Sequence, residues 1–395
     1  MSEAKNDAQK NVSTYVIRLV SSVVNGTVPP EKETHLDWQE IIDFAKKQCV
    51  LNITAYACEK LVCKPEPATL KFLREFKMQK IVVEAQQEIE FCDAMDKLEA
   101  MGIKHLPLKG YIVKNLYPSP DMRTMGDLDL LIDPARCEEV VEAFVADGFT
   151  KCSDSDLHTN IERGNAYIEL HRSMVNEKHK TLNNYFGNGF DRATPCDGYS
   201  YRYELSPEDL YIFLVAHIAK HYRYGGTGIR TLLDLYVYRK AYGRLDLNYI
   251  HEELKKIKLY EFYKKIEKIS DSWYSGSFDG NYDTVSSFIV SGGVYGTMDE
   301  AFLNEFITED ESTLDARKKQ NLIRAIFPEK EIMCIRYPVL KKCIFLLPLF
   351  WIIRFFETLF CYPARFVNRA RYSAKILQID DSRVNAQRES GIEEL

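Results

Sequence analysis

The chain lacks most of the signatures that would place it quickly. There is no glycine-rich phosphate loop, and neither a His-Arg-Asp nor an Asp-Phe-Gly triplet, so a kinase-type phosphotransferase is not indicated. Its ten cysteines show no Cys-x-x-Cys spacing, which excludes a cysteine-based zinc framework and gives no disulfide scaffold; they read as reduced thiols of a cytoplasmic protein. An excess of positive charge is also missing. With 52 Lys and Arg against 58 Asp and Glu, the net charge is -6, and broad adhesion to nucleic acid is not expected, because that binding requires many phosphate neutralisations. The amino terminus mixes Glu3, Lys5, Asp7 and Lys10 ahead of an apolar stretch that Arg18 interrupts, which is unlike a secretory signal. A membrane span needs about 20 apolar residues, and the longest candidate, Cys343 to Ile353, meets Arg354 after roughly half that length.

What is present suffices for folding. A composition 46% hydrophobic and 28% charged can bury a core, and 395 residues exceed the usual reach of one. We expect a helical region over 1–100, where Leu51, Ala55, Leu61, Leu70, Phe72, Ile81, Val83, Ile89 and Phe91 recur at helical intervals. An α/β core is expected over 101–200, a second helical region over 201–378, and a polar, disordered tail over 379–395. Within the core, Gly102 ends a helix, Ile103 to Leu108 reads as a strand, and Lys109-Gly110 turns into a short helix. Asp127 to Ile132 and Ala166 to His171 read as further strands, and Asp133-Pro134 as a helix start. Ser206-Pro207-Glu208-Asp209 opens the next helix.

The chemistry is concentrated in Gly126-Asp127-Leu128-Asp129. Acids two positions apart on a strand leave by the same face, while Leu128 and Leu130 point to the other. Paired carboxylates on a rigid element can hold hard cations such as Mg²⁺ against clustered phosphate charge. A third acid, Glu169, lies on a second strand and shares its face with His171. The alternative for such a pair is a solvated strand edge.

The surrounding residues add specificity. Leu108-Lys109-Gly110, Tyr117-Pro118, Arg123 and Gly126-Asp127-Leu128-Asp129 occur in an order that resembles the uncharacterised bacterial nucleotidyltransferase family, related to the polymerase-β-like nucleotidyltransferases. The resemblance extends over roughly residues 38 to 355 and is sharpest from 106 to 132. It implies an α+β fold: a nucleotidyltransferase core with a small mixed sheet, flanked by amino- and carboxy-terminal helical regions. It further implies that Asp127 and Asp129 bind two Mg²⁺ ions, or Mn²⁺ in their place, and that Glu169 joins them where the acceptor is activated. Where that superfamily usually carries Gly-Ser before the phosphate-binding helix, this chain has Lys109-Gly110. Gly110 permits close approach, the helix start offers N–H donors and Lys109 adds charge. Arg123 either clamps a phosphate or pairs with Asp121 or another nearby acid to fix its loop.

His217 and His221 continue the apolar face of the helix that begins at Ser206. The sequence between them lacks the Glu of a hydrolytic zinc helix. By the resemblance, His217, Lys220, His221, Arg230 and Asp234 form a cleft wall opposite the carboxylates; otherwise Arg230 and Asp234 pair across one helical turn and the histidines are satisfied in the core. The expected function is transfer of a nucleoside monophosphate from a nucleoside triphosphate, ATP among them, to a hydroxyl-type acceptor on a small molecule, protein or RNA. The alternative is a non-catalytic nucleotide-binding or interaction module. The apolar run, with basic residues out to Lys375, is expected first as a buried helix and otherwise as a peripheral membrane or protein contact through 343–375.

Overall fold

The computed structural model describes residues 2–224, 226–293, 326–341, 343–361 and 381–392, with isolated positions between 315 and 377. These residues divide into two compact units, one drawn from Met1–Tyr222, Gly226–Gly296 and Ser390–Leu395, the other from Arg223–Gly225 and Thr297–Glu389.

In the first unit, four helices precede the sheet: α1 (Ser2–Asn25), α2 (Trp38–Lys47), α3 (Leu51–Lys60) and α4 (Pro67–Ala100). Asp37 caps α2 by accepting from the backbone N–H groups of Gln39 and Glu40, and Pro67 occupies the first turn of α4. Gly102, at φ +65°, lets the chain leave α4 and enter β1 (His105–Pro107). The expected apolar face of α4 is only partly buried. Phe91 lies in the core, but Phe72, in the first turns, and Ile89, two positions from Phe91 and so on the opposite side of the helix, are exposed.

The sheet has five strands in the order β1, β2 (Leu128–Ile132), β5 (Ala166–His171), β4 (His158–Arg163) and β3 (Thr150–Asp154). Only the β2–β5 pair is parallel, so the sheet is small and mixed, as expected. Its two faces differ because side chains alternate. Leu128, Leu130, Ile132, Ile168 and Leu170 pack against Phe91 and Leu98 of α4 and against Val140 and Phe144 of α6 (Cys137–Ala146). Asp129, Glu169 and His171 are left on the opposite face.

Between β1 and β2, α5 (Gly110–Lys114) is tied to α4 by Lys114, which is fully buried. Its ammonium group donates to Glu84 (2.9 Å) and Glu88 (2.6 Å), the pairing that a buried charge requires. This anchor holds the turn at Lys109.

After α7 (Lys180–Phe186) and the β6–β7 hairpin (Ala193–Pro195, Tyr203–Leu205), five helices complete the unit: α8 (Pro207–Tyr224), α9 (Ile229–Tyr242), α10 (Leu247–Lys256), α11 (Tyr260–Tyr274) and α12 (Thr284–Ser291). Ser206 caps α8 by accepting from the Asp209 N–H at 3.0 Å. One hydrophobic core joins α1–α3 to α8–α12, so helices from before and after the sheet pack into one body with it.

The second unit contains α13 (Lys330–Arg336), α14 (Leu347–Cys361) and α15 (Asp381–Glu389), the last within the stretch expected to be a disordered tail. The expectation that the apolar run is buried is not met. Phe345, just before α14, is exposed, and so are Leu349, Ile352 and Phe356, since α14 carries apolar residues on more than one side. Among the described residues, no helix is long and apolar enough to cross a membrane.

Candidate functional site

Parallel pairing sets Asp129 directly beside Glu169, and Asp127 enters from the residue just before β2. Carboxylate oxygens of Asp127, Asp129 and Glu169 lie within 4.8 Å of one another. The three acids expected to act together are thus brought together.

Their charges are balanced unequally. Asp129 is 6% exposed. Lys109 Nζ donates to its Oδ1 at 2.9 Å and His171 Nε2 donates to the same oxygen at 2.8 Å. Burial pushes the Asp129 carboxyl up, but the Lys109 charge and the His171 hydrogen bond outweigh it and hold the group well below the usual range. Among the described residues, Asp127 has no comparable partner. Burial, reinforced by the negative charge of Asp129, raises it. Glu169 is lowered despite burial by its contact with His171, whose Nε2 is 3.2 Å from Glu169 Oε2. The two carboxylates raise His171 against its own burial.

Lys109 occupies a backbone conformation rare for a residue with a side chain, φ +38°. The sharp turn at the end of β1 brings its ammonium group back onto β2. At Gly110, a side chain would meet Arg123 Nη1 at 2.7 Å. The close approach foreseen at this glycine is made by the guanidinium group.

Arg123 does not pair with Asp121, whose carboxylate accepts from Asn52 and Tyr56. Arg123 Nε and Nη2 donate to the two oxygens of Asp234 at 2.8 and 2.9 Å, and Tyr117 donates to Asp234 Oδ1 at 2.7 Å. Asp234 is therefore bound across elements rather than held only within its own helix. Arg230 Nη1 donates to the Thr124 carbonyl at 2.8 Å. The loop before β2 is thus fastened to α9 at two points.

Lys109, Gly110, Arg123, Asp127 and Asp129 line one side of a cavity of about 110 Å³, and His217, His221, Arg230 and Asp234 line the other. Of the wall expected from α8 and α9, His217, His221, Arg230 and Asp234 line this cavity, whereas Lys220 does not. Gly126 is exposed and does not line the cavity. His217 and His221 meet at 3.1 Å between their Nε2 atoms, so one ring donates to the other. Burial first, then the neighbouring cations, lowers both, His221 to about 3, so they are neutral at physiological pH.

One residue of the expected wall, Lys220, stands apart from the others, and one feature of the site, His158, escaped sequence reading. Lys220 on α8 lies within electrostatic reach of Lys109, Asp129 and Glu169. Among the described residues, no carboxylate or carbonyl holds its ammonium group; burial and the Lys109 charge lower it to about 8. His158 stands opposite His171 in the β4–β5 ladder, a juxtaposition that only strand register creates.

The donor set suits a hard divalent cation: three carboxylates gathered by two adjacent strands, with oxygens within 4.8 Å of one another. Residues 34–275 match the model of a family described as uncharacterised nucleotidyltransferase. No curated protein and no solved structure matches the chain.

Proposed function

Because the chain belongs to this uncharacterised nucleotidyltransferase family, we propose that it transfers a nucleoside monophosphate from a nucleoside triphosphate to a hydroxyl-type acceptor and releases pyrophosphate. The observation that carries the reading is the convergence of Asp127, Asp129 and Glu169 on one cavity edge, opposite a wall rich in nitrogen donors. Asp127, Asp129 and Glu169 would hold Mg²⁺. The metal, when bound, supplies neutralisation of phosphate charge and acidification of the attacking hydroxyl.

The remaining work falls to the chain's own groups. Lys109 and His171 keep Asp129 ionised and fixed in direction. Glu169 Oε2 accepts the acceptor's hydroxyl proton as that oxygen bonds to the α-phosphorus, while the bond from the α-phosphorus to the oxygen bridging it to the β-phosphorus breaks and pyrophosphate leaves with that electron pair. Lys220 receives the triphosphate as an uncompensated cation. His217 and His221, being neutral, donate or accept a hydrogen bond without adding charge.

The test is thermal stabilisation by each of the four ribonucleoside triphosphates with Mg²⁺, followed by pyrophosphate release across a panel of acceptors. Ligand at a hundred times its dissociation constant adds about 2.7 kcal/mol. No stabilisation by any nucleotide in the folded protein would reject the reading.

Lys220 adds a pH dependence. Its folded state is protonated below about 8 and neutral above, so triphosphate affinity should weaken as pH rises through that value. Lys220→Arg should flatten the profile over this range, and Lys220→Met should remove the dependence by binding weakly throughout. Dissociation constants measured from pH 6.5 to 9.5 decide the matter; the same inflection in Lys220→Met would assign it elsewhere.

A further inference from the structure

We propose that His158, Glu169 and His171 form a site for a borderline transition-metal ion, Zn²⁺ or a divalent neighbour such as Co²⁺, beside the Mg²⁺ carboxylates and sharing only Glu169 with them. The inference does not rest on nucleotidyl transfer, since it concerns capture of an ion in the absence of any nucleotide.

The register builds the site. His158 and His171 are directly opposed in antiparallel strands, and Glu169 is two residues from His171, so all three leave the same sheet face. One ligand atom from each lies within 4.8 Å of the other two. His171 Nε2 is 3.2 Å, and His158 Nδ1 is 3.9 Å, from Glu169 Oε2. Donors bound to one ion at about 2.0–2.2 Å stand roughly 3–3.5 Å apart, so small side-chain adjustments suffice, with His171 Nε2 releasing to solvent the proton it donates to Asp129 as it takes the ion.

His158 supplies a second, independent observation. Its Nδ1 is buried without a hydrogen-bond partner. At 3.9 Å the Glu169 oxygen is too distant to satisfy it. A buried ring nitrogen left in this way costs free energy, and an ion between it and Glu169 would give it a partner. The His158 side chain is 25% exposed, which leaves room for water or another ligand to complete the shell. Two imidazoles with one carboxylate favour Zn²⁺, Co²⁺ or Fe²⁺ over Mg²⁺, which prefers oxygen donors and keeps its waters. Both strands are inside a five-stranded sheet packed on α4 and α6, so the donors are held in advance of binding.

The experiment uses the full chain, stripped of metal with a chelator, and Zn²⁺ or Co²⁺ alone as the probe. Wild type should hold one Zn²⁺ in competition with a chromophoric chelator, and Asp127→Asn, which removes a neighbouring charge but no ligand, should lose less affinity than a variant of His158. His158→Ala should weaken it by at least about tenfold, since even loss of an outer-shell partner costs that much. His158→Cys, a second variant that keeps a ligand, should retain Co²⁺ and acquire a near-ultraviolet thiolate-to-cobalt band absent from wild type. Unchanged Zn²⁺ affinity in His158→Ala, no new band in Co²⁺-loaded His158→Cys, or an equal loss of affinity in Asp127→Asn, would overturn the proposal. These outcomes are separate from nucleotide binding, so failure here leaves the nucleotidyltransferase reading to its own test.

Discussion

Asp127→Asn should reduce nucleotidyl transfer by at least about a thousandfold, the scale on which loss of a group acting in the transition state is felt, and should leave the protein as stable as wild type or more so. The two halves of this expectation have one cause. Asp127 is raised by burial and by the charge of Asp129, so its ionised form is less favourable in the folded chain than in the unfolded one. A carboxyl raised in this way lowers stability as pH rises from its unfolded value through its folded one. Asparagine removes that penalty while keeping shape. At neutral pH the variant should melt at or above the wild-type temperature, and its advantage should shrink under acid conditions, where wild-type Asp127 is protonated.

The neighbouring acid should behave in the opposite sense. Asp129 is lowered, so its contribution to stability is present above the ordinary aspartate range and is lost as pH falls. Replacing it with alanine leaves Lys109 and the buried His171 without their common acceptor and should cost about 3 kcal/mol. Calorimetric melts of both variants at pH 5 and 7.5, beside turnover, test the pair. Two inactive variants with the same loss of stability would mean that the site's charge is not distributed as described. A stable, inactive Asp127→Asn would mark a site that accepts repulsion in exchange for reactivity.

Much of this arrangement could be read before any coordinates, because it depends on local spacing. Asp127 and Asp129 share a face through strand alternation, Gly102 and Ser206 bound their helices by capping chemistry, and β5 was delimited by its apolar pattern. What could not be read depends on register and on contacts between distant segments. His158 has no distinguishing neighbourhood in the sequence and joins the site only because β4 pairs with β5 at His171. Lys114 looks like any surface lysine until α5 is laid against Glu84 and Glu88. Phe72 and Ile89 recur at helical intervals, yet are exposed, since such spacing alone does not tell which side of the helix, or how much of its length, is covered. Arg123 could be assigned to a phosphate or an acid by residue type alone, and its partner proved to lie 111 positions away.

That partner leads to a second large change, this time in stability. Arg123 and Asp234 are both buried and joined by two hydrogen bonds, with Tyr117 adding a third to the same carboxylate. Removing one member of a buried pair strands the other, which costs about 3–5 kcal/mol, whereas replacing both with apolar residues of similar volume is often close to neutral. Asp234→Ala should therefore destabilise the first unit by about that amount, and Arg123→Met combined with Asp234→Leu should recover most of the loss. Urea titrations give the comparison directly. The same series separates position from chemistry. The guanidinium group fills the space above Gly110 at the cavity edge, so the double variant, though folded, should bind triphosphate more weakly than wild type if Arg123 contributes charge to the site. Unaltered affinity in that variant would leave Arg123 as the fastening between the loop before β2 and α9, and would assign the triphosphate to Lys109, Lys220 and Arg230.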